Sequence, residues 1–289
     1  MKNLKEFYYP LSLEETLEIL SENENSPLVN VPVAGSTAIV FSKNPKIKGL
    51  IDINRLGLDY IKKDNDTIKI GAAAIAQKIY QSELIKSLAR GLLSSAAGAI
   101  GSRLIRNSCT IGGNIAGLRI WSDFPVALLA LDGHIMVKSK EGERLISAED
   151  FFAKKPSKIL KSTELVTEII ISVPPANSTG SFIKFSRTKF DYSLMNTGAC
   201  LEIDRGKILK ARIAVSAVTM LPVRLKSIEN FIEGKILTED LLEEISKKVK
   251  EEIIPVNTYK VSSEYRKHLA GVLVKRVLEE CFTLVCKQP

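Results

Sequence analysis

Thr110-Ile111-Gly112-Gly113-Asn114, with Ser122-Asp123-Phe124-Pro125 close behind it, is the stretch on which the reading of this chain rests. Two adjacent glycines between a hydroxyl and an amide residue read as a tight turn, and a second small-residue turn, Ala34-Gly35-Ser36-Thr37-Ala38, lies far upstream. Successive backbone N–H groups in such a turn form a concave nest for an anion. Glycine suits it because a Cβ would block close backbone approach. Neither turn has the GxGxxG form, nor that of a phosphate loop ending in Gly-Lys-Ser/Thr. From the residues alone, two readings stand. The turns grip one anionic ligand from both sides, or they are ordinary tight turns.

Working outward, Ser12-Leu13-Glu14-Glu15 is a capping box, and Leu13, Leu17 and Leu20 follow at helical spacing, which predicts a helix over 12–22. Leu28 to Val33 reads as a strand emptying into the first turn, and Leu50 to Ile53 and Thr67 to Ile70 as short strands. Residues 75–102 read as helical, dense in small residues near the end. Ala127 to Leu131 reads as buried helix, His134 to Ile146 as a hairpin and Val166 to Val173 as a strand. Val173-Pro174-Pro175-Ala176-Asn177-Ser178 reads as a linker, because proline cannot continue a sheet interior. Beyond it come strands over 182–185, 199–203 and 208–218, the middle and last joined by the turn Asp204-Arg205-Gly206-Lys207, then helices over 238–252 and 263–284. The expected division is 1–176 and 177–289.

Composition narrows the function class. At 289 residues, two domains are expected. Hydrophobic residues at 45% and charged residues at 26% are ordinary for a globular chain that can bury a core without staples. The net charge of +8 is spread among 33 acidic residues without a basic block, which argues against nucleic acid. Cys109, Cys200, Cys281 and Cys286 have neither zinc nor ferredoxin spacing and read as reduced, mostly buried thiols of a cytoplasmic protein. The N-terminus carries no apolar signal region, and no run approaches the ~18 residues of a membrane span. Only His134 and His268 could serve a hydrolase triad, and neither sits in a suitable context. No catalytic or metal-ligating set is expected.

The turns belong to a wider resemblance. Thr110 to Asn114 with Ser122-Asp123-Phe124-Pro125 resembles the TIGGN…SDxP signature of the FAD subunit of molybdenum hydroxylases, the family of xanthine dehydrogenase and aerobic carbon monoxide dehydrogenase. Gly101 to Asn107 is similar to its GSxQIRN run, and Val33 to Thr37 to its first AGGTD-like loop. Lys184 to Tyr192 resembles its KxSRRxxDY segment and Ser263 to Leu269 its SEYRxHL segment. The five similarities come in order and span nearly the whole chain. The resemblance implies an α+β fold: a two-lobed FAD-binding module of the vanillyl-alcohol-oxidase (PCMH) type, then a smaller α/β C-terminal domain.

It also implies roles. The backbone of Ala34, Gly35, Ser36, Thr37 and Ala38 would line the FAD pyrophosphate. Thr110, Gly112, Gly113 and Asn114 would hold it from the second turn, Thr110 through its hydroxyl and Asn114 through its amide. Asp123 would accept from cofactor hydroxyl or N–H groups, Leu165 would pack on the flavin ring and Lys184 would bring a cation. A helix N-cap is the plain alternative for Asp123, and a solvated strand lysine for Lys184. FAD would bind noncovalently, since no histidine lies near either turn and Cys109 precedes the pyrophosphate loop. Hydroxylation chemistry would belong to partners, a large molybdopterin subunit and a small [2Fe–2S] subunit, with NAD(P) or another acceptor taking the electrons. The sequence departs from the family at Ser36, where a second glycine is usual, at Ala38, and at Ile115 to Trp121, where a small polar stretch is usual. These departures keep two alternatives open: an assembly subunit that has lost FAD, and a self-contained FAD oxidoreductase.

Overall fold

The computed structural model describes residues 3–256 and 261–286, with side chains to residue 284. Three sheets organise it. The first has β1 (Glu6–Tyr8), β2 (Val29–Val33) and β3 (Ile47–Asp52) in the order β1-β3-β2, all parallel. The helix Leu13–Ser21 crosses between β1 and β2. Ser12 caps it, its hydroxyl accepting from Glu15 N at 3.1 Å, and Glu15 Oε2 accepts from Leu11 N at 2.8 Å.

The second sheet is antiparallel. It contains β4 (Ile61–Asp64), β5 (Thr67–Gly71), β6 (His134–Ser139), β7 (Gly142–Ser147) and β8 (Leu165–Ser172), ordered β4-β5-β8-β6-β7. Helices between β5 and β6 cover it, and Ile68, Ile70, Ile135, Ile169 and Ile171 point into a shared core with Leu92, Phe124 and Leu128. Alternation along the strands places these side chains on one face. Leu165 and Ala73 of this lobe meet Leu17, Leu20 and Ile51 of the first in a smaller apolar cluster between the lobes.

The third sheet carries the rest of the chain: β9 (Ser178–Phe185), β10 (Met195–Asp204), β11 (Lys207–Ser216) and the short β12 (Val223–Arg224), ordered β12-β11-β10-β9 and antiparallel. The β10–β11 turn has positive φ at Arg205 and Gly206, 48° and 80°. Helices Glu239–Glu252 and Ser263–Cys286 bury Ile245, Val249, Leu273 and Val277 against this sheet. The helix Phe124–Ala130 packs on β10 and β11 from the other side and joins the two halves.

Two expectations are corrected. The helical stretch over 75–102 is broken into several pieces, Ala76–Gln81, Glu83–Lys86 and Leu92–Ala99, the last two separated by a left-handed kink with φ 41° at Ala89, 55° at Arg90 and 86° at Gly91. Ser82 restarts the helix by accepting from Ile85 N, and the kink lets β9 approach, since a Cβ on Gly180 would lie 2.9 Å from Ala89 O. Apolar periodicity does not reveal such a break, because both helices bury the same face. Thr110 to Asn114, in turn, opens the short helix Ile111–Ala116.

Candidate functional site

The two small-residue turns meet. A Cβ placed on Gly35 would lie 1.5 Å from the Ser108 carbonyl oxygen, so only glycine allows the first turn to rest on the segment leading into the second. The Thr37 hydroxyl reaches the Cys109 thiol, whose ionisation burial pushes up, and Asn114 Nδ2 lies 3.9 Å from the same sulfur.

Their hydrogen bonding differs. In the first turn, the backbone N–H groups of Ala34 to Ala38 donate to no group among the described residues, and these residues are half-buried rather than enclosed. Ser36 has φ 56°. A left-handed residue among right-handed or extended neighbours turns consecutive N–H groups to one side, the geometry of an anion nest. This also explains why glycine is usual there: a side chain at positive φ is strained.

The second turn is occupied. Ile111 N donates to Ala74 O at 3.0 Å, Gly112 N to Ala72 O at 2.9 Å and Asn114 N to Thr110 O at 3.0 Å. Gly113 N donates to the Thr110 hydroxyl at 3.2 Å. The expectation that this turn offers backbone donors is therefore corrected. Thr110 is the N-cap of helix 111–116, and Gly112 is required because a Cβ would sit 2.6 Å from Ala72 Cβ. What remains for a ligand is the Thr110 hydroxyl proton, the exposed edge at Gly113 and the Asn114 side chain, whose Oδ1 is buried without a partner.

The second turn connects onward. The Ser122 hydroxyl is 3.4 Å from Asn114 O and accepts from Arg119 N at 3.1 Å. Asp123 stands at the N-cap position of helix Phe124–Ala130, yet its side chain makes no cap bond. Its carboxylate is instead 3.7 Å from Lys184 Nζ on β9, and both side chains are about nine-tenths buried. Burial raises the Asp123 pKa to about 6 against the opposing pull of Lys184. Lys184 also donates to Ala99 O at 3.0 Å, so it is no solvated strand lysine.

Leu165 is 4% exposed, inside the cluster between the lobes that Ala34 also packs against. Ser193 and Asn196 were missed. The Ser193 hydroxyl lies 3.5 Å from Asp123 Oδ1, and Asn196 Nδ2 donates to Ser122 O at 3.2 Å. The signal in the sequence is a serine and an asparagine around the start of a strand that is buried along most of its length. Trp121, bulky where the family is small, packs at a tilt of 33° against Tyr192, with the ring centres 4.3 Å apart.

Two surface hollows lie elsewhere, around Phe231 and Lys248 and around Phe152 and Pro222. In the second, Arg224 and Lys226 already pair with Glu229 and Glu149. Among the described residues no acidic, histidine or cysteine cluster could hold a metal, and no helix is long and apolar enough to cross a membrane.

Unpartnered amides beside a positive-φ residue, an orphaned Asn114 oxygen and a buried carboxylate–ammonium pair fit a dinucleotide with a dianionic pyrophosphate and polar hydroxyls. Comparison with known proteins agrees. Residues 2–174 match the family model of the FAD binding domain in molybdopterin dehydrogenase, and residues 180–281 that of the CO dehydrogenase flavoprotein C-terminal domain. The glyceraldehyde dehydrogenase medium chain of Sulfolobus acidocaldarius is 31% identical, over 93% of this chain and 95% of that one. The nicotinate dehydrogenase FAD-subunit of Eubacterium barkeri is 31% identical over 82% of each. A chain of carbon monoxide dehydrogenase from Hydrogenophaga pseudoflava superposes with a TM-score of 0.89 at 25% identity, covering 97% of this chain and 98% of its own. The quinoline 2-oxidoreductase of Pseudomonas putida 86 shares the fold, with a TM-score of 0.89 at 21% identity over 97% of each chain. The chain belongs to the family of FAD-binding subunits of molybdenum hydroxylase-type dehydrogenases.

Proposed function

We propose that this chain is the electron-relaying flavoprotein of a three-component molybdenum hydroxylase. A small [2Fe–2S] subunit delivers electrons to it, and a large molybdopterin subunit oxidises the substrate. The external acceptor is NAD(P) or another carrier, and the complex works in the cytoplasm. The observation that carries the reading is the first turn: a run of unpartnered N–H groups pressed against the second turn through Gly35. Relatives named as a medium chain and an FAD-subunit support a multi-subunit setting.

In this reading residues 1–176 carry the FAD site and residues 177–289 close over it. The N–H groups of Ala34 to Ala38 take the pyrophosphate by fixed, uncharged donation. Thr110 and Asn114 contact it from the other side through their side chains, with Gly112 and Gly113 shaping the turn. Asp123 accepts from the ligand and Lys184 balances its charge. Bound FAD would take up electrons one at a time from the clusters and pass them on as a pair, linking one-electron clusters to a two-electron acceptor.

The test is purification with and without the partner chains. Noncovalent FAD, released by acid precipitation, is expected in the chain alone. Substrate-to-acceptor turnover is expected only with all three components. Substrate oxidation by the isolated chain would overturn the relay role.

A further inference from the structure

The motif Ser263-Glu264-Tyr265-Arg266 is not used by the site described above, yet Arg266 is 4% exposed. Its Nη1 donates to Leu194 O at 3.2 Å and to Ala217 O at 2.5 Å. Burying a guanidinium is costly unless its donors are used, and these two acceptors are not arbitrary. Leu194 immediately precedes β10 and Ala217 immediately follows β11. Between them lies the cross-strand pair Asn196–Ser216. Ala217 has φ 64°, a left-handed conformation that an alanine keeps only where its surroundings enforce it.

The clamped segments are those that touch the FAD half. Asn196 Nδ2 donates to Ser122 O at 3.2 Å, and the Ser193 hydroxyl reaches Trp121 O at 3.3 Å and Asp123 Oδ1 at 3.5 Å. Next to Ser193, the Tyr192 ring packs at a tilt against Trp121. We propose that Arg266 is a positioning residue for the flavin site: by fixing Leu194 and Ala217 it holds Ser193 and Asn196 against Ser122 and Asp123. This rests on the reading of Asp123 and Lys184 as flavin-site residues. A mere staple of the last helix could have taken any carbonyl on the sheet. Leu194 and Ala217, which it does take, flank the contact between the halves.

Trp121 is the only tryptophan in the chain, so its emission reports this junction directly, with or without flavin. The full-length variants are Arg266→Gln, Arg266→Lys and Ser193→Ala. In the flavin-free chain, Arg266→Gln should shift Trp121 emission to the red, with far-UV circular dichroism unchanged. In the flavin-loaded chain it should alter the visible circular dichroism of the flavin and weaken retention roughly ten-fold, the size of a coupling between groups sharing one network. Arg266→Lys, which keeps the charge and N–H donors but lacks the planar guanidinium that sets their reach, should fall between. Ser193→Ala should reproduce the emission shift with an unchanged thermal midpoint.

A lower thermal midpoint for Arg266→Gln with Trp121 emission and flavin spectrum unchanged would overturn the proposal. If Arg266→Gln does not fold, Ser193→Ala and Arg266→Lys decide: wild-type emission and flavin spectra in both would overturn it. A wild-type chain that takes up no flavin, while the emission shift persists, would sink the flavin-site reading and leave only a structural junction.

Discussion

The two turns look alike in sequence and differ in what their backbones do. Both are short, small and glycine-bearing, and both connect to an apolar strand or helix. In 34–38 the N–H groups find no partner among the described residues, whereas in 111–114 each donates within the chain. Glycine serves different ends in each. At Gly35 it lets one turn lie on the other, at Gly112 it lets a helix start lie on Ala72, and at Ser36 the left-handed position is filled without it. A glycine in a sequence thus signals close approach without saying what approaches.

The largest expected effect follows from Gly35. Gly35→Val would push a branched side chain into the Ser108 backbone, and no rotamer relieves a clash of a Cβ at 1.5 Å. Overpacking of this kind costs about 1–3 kcal/mol or more, and here it separates the turns. The variant should lose FAD altogether and unfold at a lower temperature, measured by flavin absorbance and thermal melting. Normal flavin occupancy in it would mean that the ligand does not need the two turns together.

Asp123 is the buried group both turns lead to, and its effect is smaller. Its pKa is raised to about 6 in the folded chain, above the ordinary 3.8. Between these values the folded state binds the proton more tightly than the unfolded state. Its contribution to stability is therefore greatest below about pH 4 and declines as pH rises through about 6. Asp123→Asn mimics the protonated form. In the flavin-free chain the wild type should gain on the variant as pH falls from 7 to 4, read as the difference between their melting temperatures. A difference that stays constant over this range would show that the carboxyl does not titrate there.

Much of this was legible in the sequence. The capping residue Ser12, the β10–β11 turn and the apolar faces of the last two helices follow from local chemistry, and the structure has them. The kink at Ala89 to Gly91 was not legible, because it is set by the approach of β9 rather than by local preference. At the site, the residues of the two turns, Asp123 and Lys184 could each be named from the motifs, but not the pairing of the last two. Which amides are free could not, since it depends on Ala72 and Ala74, carbonyls from a segment with no motif of its own. Ser193 and Asn196 escaped for a similar reason: their partners lie across the chain.

Thr110→Ala should separate architecture from ligand contact in the second turn. The hydroxyl accepts from Gly113 N, and losing such a cap costs about 1 kcal/mol. Urea denaturation should show that loss while most FAD is retained, because the first turn still supplies its amides. A complete loss of flavin at unchanged stability would put the main hold on the pyrophosphate at the Thr110 hydroxyl rather than at the amides of the first turn.

The smallest expected effect is also the sharpest test of the first turn. Ser36 sits at φ 56°, where an L-residue is strained by about 1–2 kcal/mol. Ser36→Gly removes that strain but adds conformational freedom to the unfolded chain, a cost of roughly 0.5–1 kcal/mol. The two nearly cancel, so stability should change by less than about 1 kcal/mol in the stabilising direction. Ser36→Val should destabilise, since a β-branched residue tolerates positive φ least. The hydroxyl has only a marginal contact, 3.5 Å to Ala34 O, so its loss should matter little. If the amides of Ala34 to Ala38 hold the pyrophosphate, Ser36→Gly keeps every donor and FAD affinity measured by calorimetry should stay within about three-fold of wild type, well under 1 kcal/mol. A ten-fold loss in that variant would assign the contact to the serine side chain, and the first turn would then resemble the second, with a backbone that shapes the site and side chains that meet the ligand.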